Sequence, residues 1–123
     1  NKSDLVISRS GVDKSKFTID DMILINSRGE ILPPFNKPGI KSSAETEIHT
    51  EIYRLFPDVN CVLHTHSVLG TVLSQMFLHE QQMKFEGLEI LKAFDGNHTH
   101  ELTELLPIVP NSQNIQEILS HMK

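Results

Sequence analysis

The sequence is poor in the residue types that mark secreted, membrane-spanning or nucleic-acid-binding proteins. It has one cysteine, so no intrachain disulfide can form. Its longest apolar runs, such as residues 22–25 and 61–63, are far shorter than the ~20 residues of a membrane-spanning helix. The 11 Lys and Arg residues are scattered and outnumbered by 16 Asp and Glu, which leaves no basic surface for nucleic acid. The length of 123 residues predicts a single domain over residues 1–123. The single cysteine fits a reducing cytoplasm, and neither a membrane nor nucleic acid is expected as partner.

Alternating strand and helix patterns predict an α/β fold in which helices pack on a sheet. Three prolines and Gly39 exclude helix and strand from residues 31–41, so this segment is predicted to be a loop. Ser42 and Ser43 are predicted to cap the helix that follows it. The expected strands cover residues 4–7, 22–26, 61–66, 83–85, 88–91 and 105–109, and the expected helices cover 43–56, 67–77 and the stretch after Ser112, with Met122 at its apolar face.

Two histidines at the end of a predicted strand are the first candidate functional residues. His64 and His66 are one residue apart, and alternate side chains of a strand point to the same face. Neutral imidazole is a common zinc ligand, so the pair is a plausible half of a metal site. Taken alone, the spacing is equally compatible with an accidental pair. Cys61, in the same apolar run, is expected to be a buried small side chain and not a nucleophile.

A second pair with the same spacing, His98 and His100, lies in a turn that follows Gly96 and Asn97. A turn presents two side chains less rigidly than a strand does. This pair is therefore the main alternative to His64 and His66 as a metal site. We expect it to support the site, to lie on the substrate side, or to have no role. His79 is expected to lie on the surface.

Three blocks resemble, in order, conserved segments of the class II aldolase/adducin family. Residues 7–14 (Ile-Ser-Arg-Ser-Gly-Val-Asp-Lys) resemble its Ser-Gly phosphate-binding turn, and residues 41–46 (Lys-Ser-Ser-Ala-Glu-Thr) its second phosphate-binding loop. Residues 62–67 (Val-Leu-His-Thr-His-Ser) resemble its metal-binding strand. Residues 86–93 (Glu-Gly-Leu-Glu-Ile-Leu-Lys-Ala) and 96–101 (Gly-Asn-His-Thr-His-Glu) are most similar to the branch that dehydrates a ketose phosphate carrying a methylthio group.

The resemblance implies an α/β fold with the class II aldolase-like three-layer α/β/α sandwich around a central, mostly antiparallel β-sheet. It also implies a homo-oligomer, a tetramer, that acts on a small sugar phosphate. Family members carry a Gly-Asn-x-Ser segment before the first block and a third metal histidine, in an Arg-x-His-Gly context, beyond the last helix. Neither segment is present in residues 1–123, so the domain is expected to lack its N-terminal and C-terminal portions.

The resemblance also assigns the metal and the proton-transfer groups. His64 and His66 would bind one Zn²⁺ per subunit, together with a third histidine outside this chain. Glu89 matches the acid/base residue of the dehydratase branch, and its apolar neighbours are expected to raise its pKa towards the operating pH. Glu45 matches the carboxylate that the family's aldolases use as base.

Phosphate recognition is assigned in the same way to Ser10, Gly11 and Ser43, through backbone N–H groups, hydroxyls and the positive end of the following helix. Without the resemblance, these residues are equally well explained as ordinary turn and cap residues.

Three functions are compatible with these residues. The first is a metal-dependent hydro-lyase with Glu89 as acid/base, and the second is an aldolase or epimerase of another sugar phosphate with Glu45 as base. The third is a non-catalytic scaffold such as the adducin head domain. The presence of both His64 and His66 argues against the scaffold, which has no need for paired metal ligands.

Overall fold

The computed structural model describes residues 4–121, and the chain forms two compact units, one ending at Leu63 and the other beginning at His64. Both are mixed α/β, and each contains a two-stranded antiparallel sheet, as the sequence predicts for the fold class. Across residues 4–121, no helix combines the length and apolar character that crossing a membrane requires.

The first unit is built on a strand pair, β1 (Asp4–Ser8) and β2 (Met22–Asn26). The strands are antiparallel, with Ile7 opposite Ile23. Alternate side chains point to one face, so these two residues and Ile25 form the buried cluster of the unit. Both strands are confirmed.

The proline-containing segment at residues 31–41 forms neither helix nor strand, as predicted. Its start is held against β2, because the Leu32 N–H donates to the Leu24 carbonyl at 2.9 Å. The side chains of Ile31, Phe35 and Ile40 pack on the buried cluster. The loop therefore covers the apolar face of the strand pair.

The first helix, α1, spans Thr46–Leu55 and begins later than its predicted serine caps. Glu45 is its N-cap, and the Ser43 carbonyl accepts the N–H and the hydroxyl of Thr46 at 3.1 Å and 2.6 Å. Thr46 is buried against Gly29, where an added Cβ would lie 3.1 Å from the Thr46 Cγ2 atom. Gly29 also has φ +80°, a conformation that glycine adopts without strain.

The second unit contains α2 (Val68–Met76), β3 (Gln82–Glu86), β4 (Thr103–Pro107) and α3 (Ile115–Ser120). The Ser67 hydroxyl accepts the Gly70 N–H at 3.2 Å and caps α2. β3 and β4 are antiparallel, with Glu86 opposite Thr103 at one end. The buried apolar side chains of the unit are Met83, Leu91, Ile108 and Leu119; Met122, predicted at the apolar face of α3, is outside the described residues.

Two predicted strands are wrong. Residues 57–67 contain no helix or strand, because no segment within residues 4–121 forms a ladder with them, and a strand needs such a neighbour for its backbone groups. Cys61, expected to be buried, is exposed. The strand predicted at residues 88–91 is replaced by a 3₁₀ helix, Glu89–Ala93.

Candidate functional site

The two segments that resemble phosphate-binding loops meet in the first unit. Arg9 and Ser42 form an antiparallel bridge just beyond β1. The Ser10 N–H donates to the Lys41 carbonyl at 2.8 Å, and the Ser43 N–H donates to the Ser8 carbonyl at 3.1 Å. Residues 33 positions apart in the sequence, Ser10 and Ser43, are thereby fixed on neighbouring backbone segments.

The same bridge limits which groups are open to an anion. The backbone N–H groups of Ser10 and Ser43 already donate within the unit. A bound phosphate would therefore be contacted by the hydroxyls of these two serines and by the N–H of Gly11, which is exposed and has φ +78°. The phosphate-binding role of Ser10, Gly11 and Ser43 stays a prediction. The donors available for it are the two serine hydroxyls and the Gly11 N–H.

Glu45 is in direct contact with one of these hydroxyls. The Ser43 Oγ donates to the Glu45 Oε2 at 2.5 Å, and the Glu45 N–H lies 3.3 Å from the Ser43 Oγ. A hydroxyl has one hydrogen to donate, so Ser43 would have to turn away from Glu45 to donate to a phosphate. The role of Glu45 as a base stays a prediction.

An ion pair anchors the start of this bridge. The Arg9 Nε and Nη2 atoms donate to the Asp21 Oδ1 at 3.0 Å and 2.7 Å, and the Thr18 N–H donates to the Asp21 Oδ2 at 3.0 Å. The Thr18 backbone bond, followed by the Arg9 guanidinium, holds the pKa of the Asp21 carboxyl below its usual value of 3.8. Asp21 is therefore ionised at neutral pH and positions Arg9.

We expect the D21N variant to unfold at a lower temperature than the wild type near pH 7. Since the folded-state pKa of Asp21 is lowered, its stabilising contribution is complete above 3.8 and is lost as the pH falls through the folded-state pKa. The difference in Tm between the two proteins should thus shrink as the pH falls below about 4.

Thermal unfolding followed by circular dichroism measures this difference. D20N is the matched control, since Asp20 is the exposed neighbour in the same turn. A difference in Tm that stays constant down to pH 3 would contradict the role of the ionised Asp21.

The paired histidines lie together at the beginning of the second unit. The ring centroids of His64 and His66 are 4.6 Å apart, with an angle of 36° between the ring planes, and both residues are exposed. Ser67 follows immediately and is fixed by its hydrogen bond to the first turn of α2. The expected proximity of the rings is confirmed, although the strand that was expected to produce it is not formed.

The ring separation is compatible with two ligands of one metal ion and equally with an ordinary ring–ring contact. Imidazole nitrogens bind zinc at about 2.0–2.1 Å, and a tetrahedral pair then has ring centroids about 5 Å apart. Within residues 4–121, no group of three His, Cys, Asp or Glu side chains could hold a metal ion. His64 and His66 therefore offer two ligands of a site that needs further ones, and their metal role stays a prediction.

The Glu89 carboxylate lies between two donor side chains of the same unit. Lys92 Nζ is 2.5 Å from Glu89 Oε2, and His100 Nδ1 is 3.1 Å from Glu89 Oε1. In a 3₁₀ helix, residues three apart lie on one face, so Glu89 and Lys92 share a face while Leu91 is buried. The Glu89 side chain is 71% exposed.

The expected direction of the Glu89 pKa is wrong. The hydrogen bond and charge of Lys92, with a smaller effect from His100, lower the pKa of Glu89 below its usual value of 4.5. Desolvation raises the pKa by less than Lys92 lowers it, and the neighbouring Leu88 and Ile90 are themselves exposed. Glu89 is therefore a carboxylate at neutral pH, ready to accept a proton and not to donate one.

One of the two partners of Glu89 has a local signal in the sequence. The spacing of Glu89 and Lys92 is that of an ion pair on one helical face and was available to sequence reasoning. The spacing of His100 predicts half of a rival metal pair and no contact with Glu89, because that contact spans 11 positions and depends on the turn before β4. Its neighbour His98 is exposed.

The chain matches one family model and is similar to several named proteins. The family model described as Class II Aldolase and Adducin N-terminal domain matches residues 1–123. The chain is 46% identical over 118 residues, 96% of its length, to a Picosynechococcus protein named methylthioribulose-1-phosphate dehydratase. It is 38% identical over 95% of its length to a Xanthomonas campestris protein and 39% identical over 89% to a Stenotrophomonas maltophilia protein of the same name.

The aligned regions cover 55%, 52% and 49% of these three relatives. The chain thus spans about half the length of the curated relatives it matches.

Proposed function

The chain belongs to the class II aldolase and adducin family, and we propose that it carries part of a hydro-lyase acting on 5-methylthioribulose 1-phosphate. The product would be the 2,3-diketo-5-methylthiopentyl 1-phosphate of methionine salvage. The observation that carries the proposal is the 46% identity, over 96% of this chain, to a protein named for that dehydration.

The proposed reaction removes a proton from the carbon next to the substrate ketone. The hydroxyl on the following carbon leaves as water. The enol that remains then takes a proton on carbon and becomes the second ketone, so the net change is the loss of one water. Glu89 is the proposed proton acceptor. Its carboxylate is exposed and ionised, which is the protonation state that accepts a proton, while the pairing with Lys92 lowers its pKa and makes it a weaker base than an unpaired glutamate.

His64 and His66 are the proposed ligands of one divalent metal ion, with zinc as the first candidate because imidazole is among its preferred ligands. When bound, the metal would supply Lewis-acid stabilisation of the negative charge that develops on the substrate oxygens. The separation of the two rings, 4.6 Å, supports a shared ion.

Ser10, Gly11 and Ser43 are the proposed phosphate contacts, in line with the bridge that joins their two segments. Hydroxyl and backbone N–H groups suit a phosphate, because each presents a hydrogen to its oxygens. Glu45 is a second proposed catalytic carboxylate, and the Ser43 hydroxyl would release it on turning to donate to the phosphate.

The proposal extends to the assembly and the compartment. The family resemblance favours a cytoplasmic homotetramer whose domain is a three-layer α/β/α sandwich around a mostly antiparallel sheet. The single cysteine agrees with a reducing compartment. Light scattering of the purified natural protein would measure the number of subunits, and a monomer would refute the assembly.

The decisive experiment incubates the purified natural protein, loaded with Zn²⁺, with 5-methylthioribulose 1-phosphate. Mass spectrometry should detect a product lighter by one water, and a protein heated to inactivation is the control. Cleavage of a carbon–carbon bond would point instead to an aldolase. An unchanged substrate together with no bound divalent metal would favour a non-catalytic scaffold.

A further inference from the structure

Each of the two Glu89 oxygens contacts a side-chain nitrogen from a different part of the second unit. Lys92, on Oε2, is three residues away in the same 3₁₀ helix. His100, on Oε1, comes from the turn before β4. An ionised carboxylate accepts about four hydrogen bonds, so each oxygen keeps a free position for a substrate proton.

The backbone brings His100 to Glu89 independently of its imidazole. The pairing of β3 and β4 ends with Glu86 opposite Thr103, and beyond it the Gly87 N–H donates to the His100 carbonyl at 3.0 Å. Gly87 has φ +70°, which turns the chain into the 3₁₀ helix that carries Glu89.

The turn that carries His100 is fixed at a second point. The Asn97 Nδ2 atom donates to the Leu91 carbonyl at 3.1 Å and to the Glu104 Oε1 at 2.6 Å. Asn97 thereby connects the 3₁₀ helix to β4. The position of the His100 backbone is thus set by main-chain and Asn97 hydrogen bonds, and its side chain is available for another task.

We propose that His100 is a positioning residue, whose imidazole contact with Glu89 Oε1 restricts the Glu89 carboxylate to the orientation that accepts the substrate proton. The inference rests on the proposed function, since it gives Glu89 a partner for the same reaction. A glutamate side chain that is 71% exposed samples many orientations, and a contact on one oxygen restricts them. Proton transfer is sensitive to such restriction, since displacements of about 1 Å are able to cost 10²-fold in rate.

The contact adds little to the stability of the fold. His100 and Glu89 are 47% and 71% exposed, and exposed ion pairs contribute about 0–1 kcal/mol. Loss of the imidazole should therefore change catalysis far more than it changes unfolding. A residue that only supported the fold would show the opposite pattern.

The test compares H100A, H100N and the wild type in the natural, metal-loaded protein. H100A should lower kcat about 10- to 100-fold, with KM within about twofold of the wild type and an unchanged unfolding temperature. Asparagine Nδ2 is as many bonds from Cα as histidine Nδ1, so H100N should recover most of the lost kcat. H79A is the matched control, since His79 is an exposed histidine of the same unit.

The proposal is overturned if H100A keeps the wild-type kcat, or if H100N is as slow as H100A. A wild-type protein without dehydratase activity would refute the proposed function separately. In that case the contact itself is still tested by ¹⁵N NMR of the imidazole. The ¹⁵N signals of the His100 imidazole should shift in E89Q; unshifted signals would overturn the contact.

Discussion

E89Q should reduce kcat for dehydration by about 10²–10⁴-fold, the usual contribution of a general acid/base group. Glutamine has the size of glutamate and still accepts a hydrogen bond from Lys92, but its amide cannot take up a proton near neutral pH. The side chain is largely exposed, so the unfolding temperature should stay close to that of the wild type.

Steady-state kinetics and proton exchange together measure this effect. In heavy water, the wild type should exchange the substrate hydrogen next to the ketone, and E89Q should not. E86Q is a matched control, because Glu86 is also exposed and pairs with a lysine, Lys84, at 2.5 Å.

Substitutions at Glu86 and Glu45 separate the chemical alternatives. E86Q should retain wild-type turnover. Full dehydratase turnover in E89Q would refute the assignment of Glu89, and loss of activity in E45Q with E89Q unaffected would favour the aldolase reading.

H64A and H66A should each lose most of the bound divalent metal and nearly all activity. Lewis-acid stabilisation contributes several kcal/mol, which corresponds to about 10²-fold or more in rate. Each substitution removes one of the two imidazoles whose rings lie 4.6 Å apart. Both residues are exposed, so the metal-free variants should unfold close to the metal-free wild type.

Elemental analysis of the purified variants gives the metal content per chain, and kinetics with added Zn²⁺ gives the residual rate. H79A should bind metal as the wild type does. Metal content equal to the wild type in both H64A and H66A would show that the ion is held elsewhere and would remove the pair from the proposed site.

Most helices and strands were predictable from local patterns. The strand pair of the first unit, α1, α2, β3 and β4 all follow apolar periodicity and turn residues, and each lies within a few residues of its expected position. The apolar run at residues 61–66 has the same local appearance as β2. It does not form a strand, because strand formation depends on a hydrogen-bonded neighbour that local sequence does not specify.

The environment of Glu89 was also not predictable from its neighbours in the sequence. Apolar neighbours in the sequence predicted burial, but in a 3₁₀ helix only Leu91 turns inward, and Glu89 faces solvent beside Lys92. The direction of its pKa therefore reversed. Contacts distant in sequence, such as that of Arg9 with Asp21, have no local signal either.

The bridge between Arg9 and Ser42 has a consequence for sequence divergence. The loop at residues 31–41 is held at one end by β2 and at the other by this bridge, while residues 36–39 at its tip are exposed. Lengthening a loop costs little once its ends are fixed, about 0.6 kcal/mol for each doubling. Relatives are therefore free to vary the tip in length and composition, because the bridge keeps Ser10 and Ser43 close in space whatever number of residues separates them.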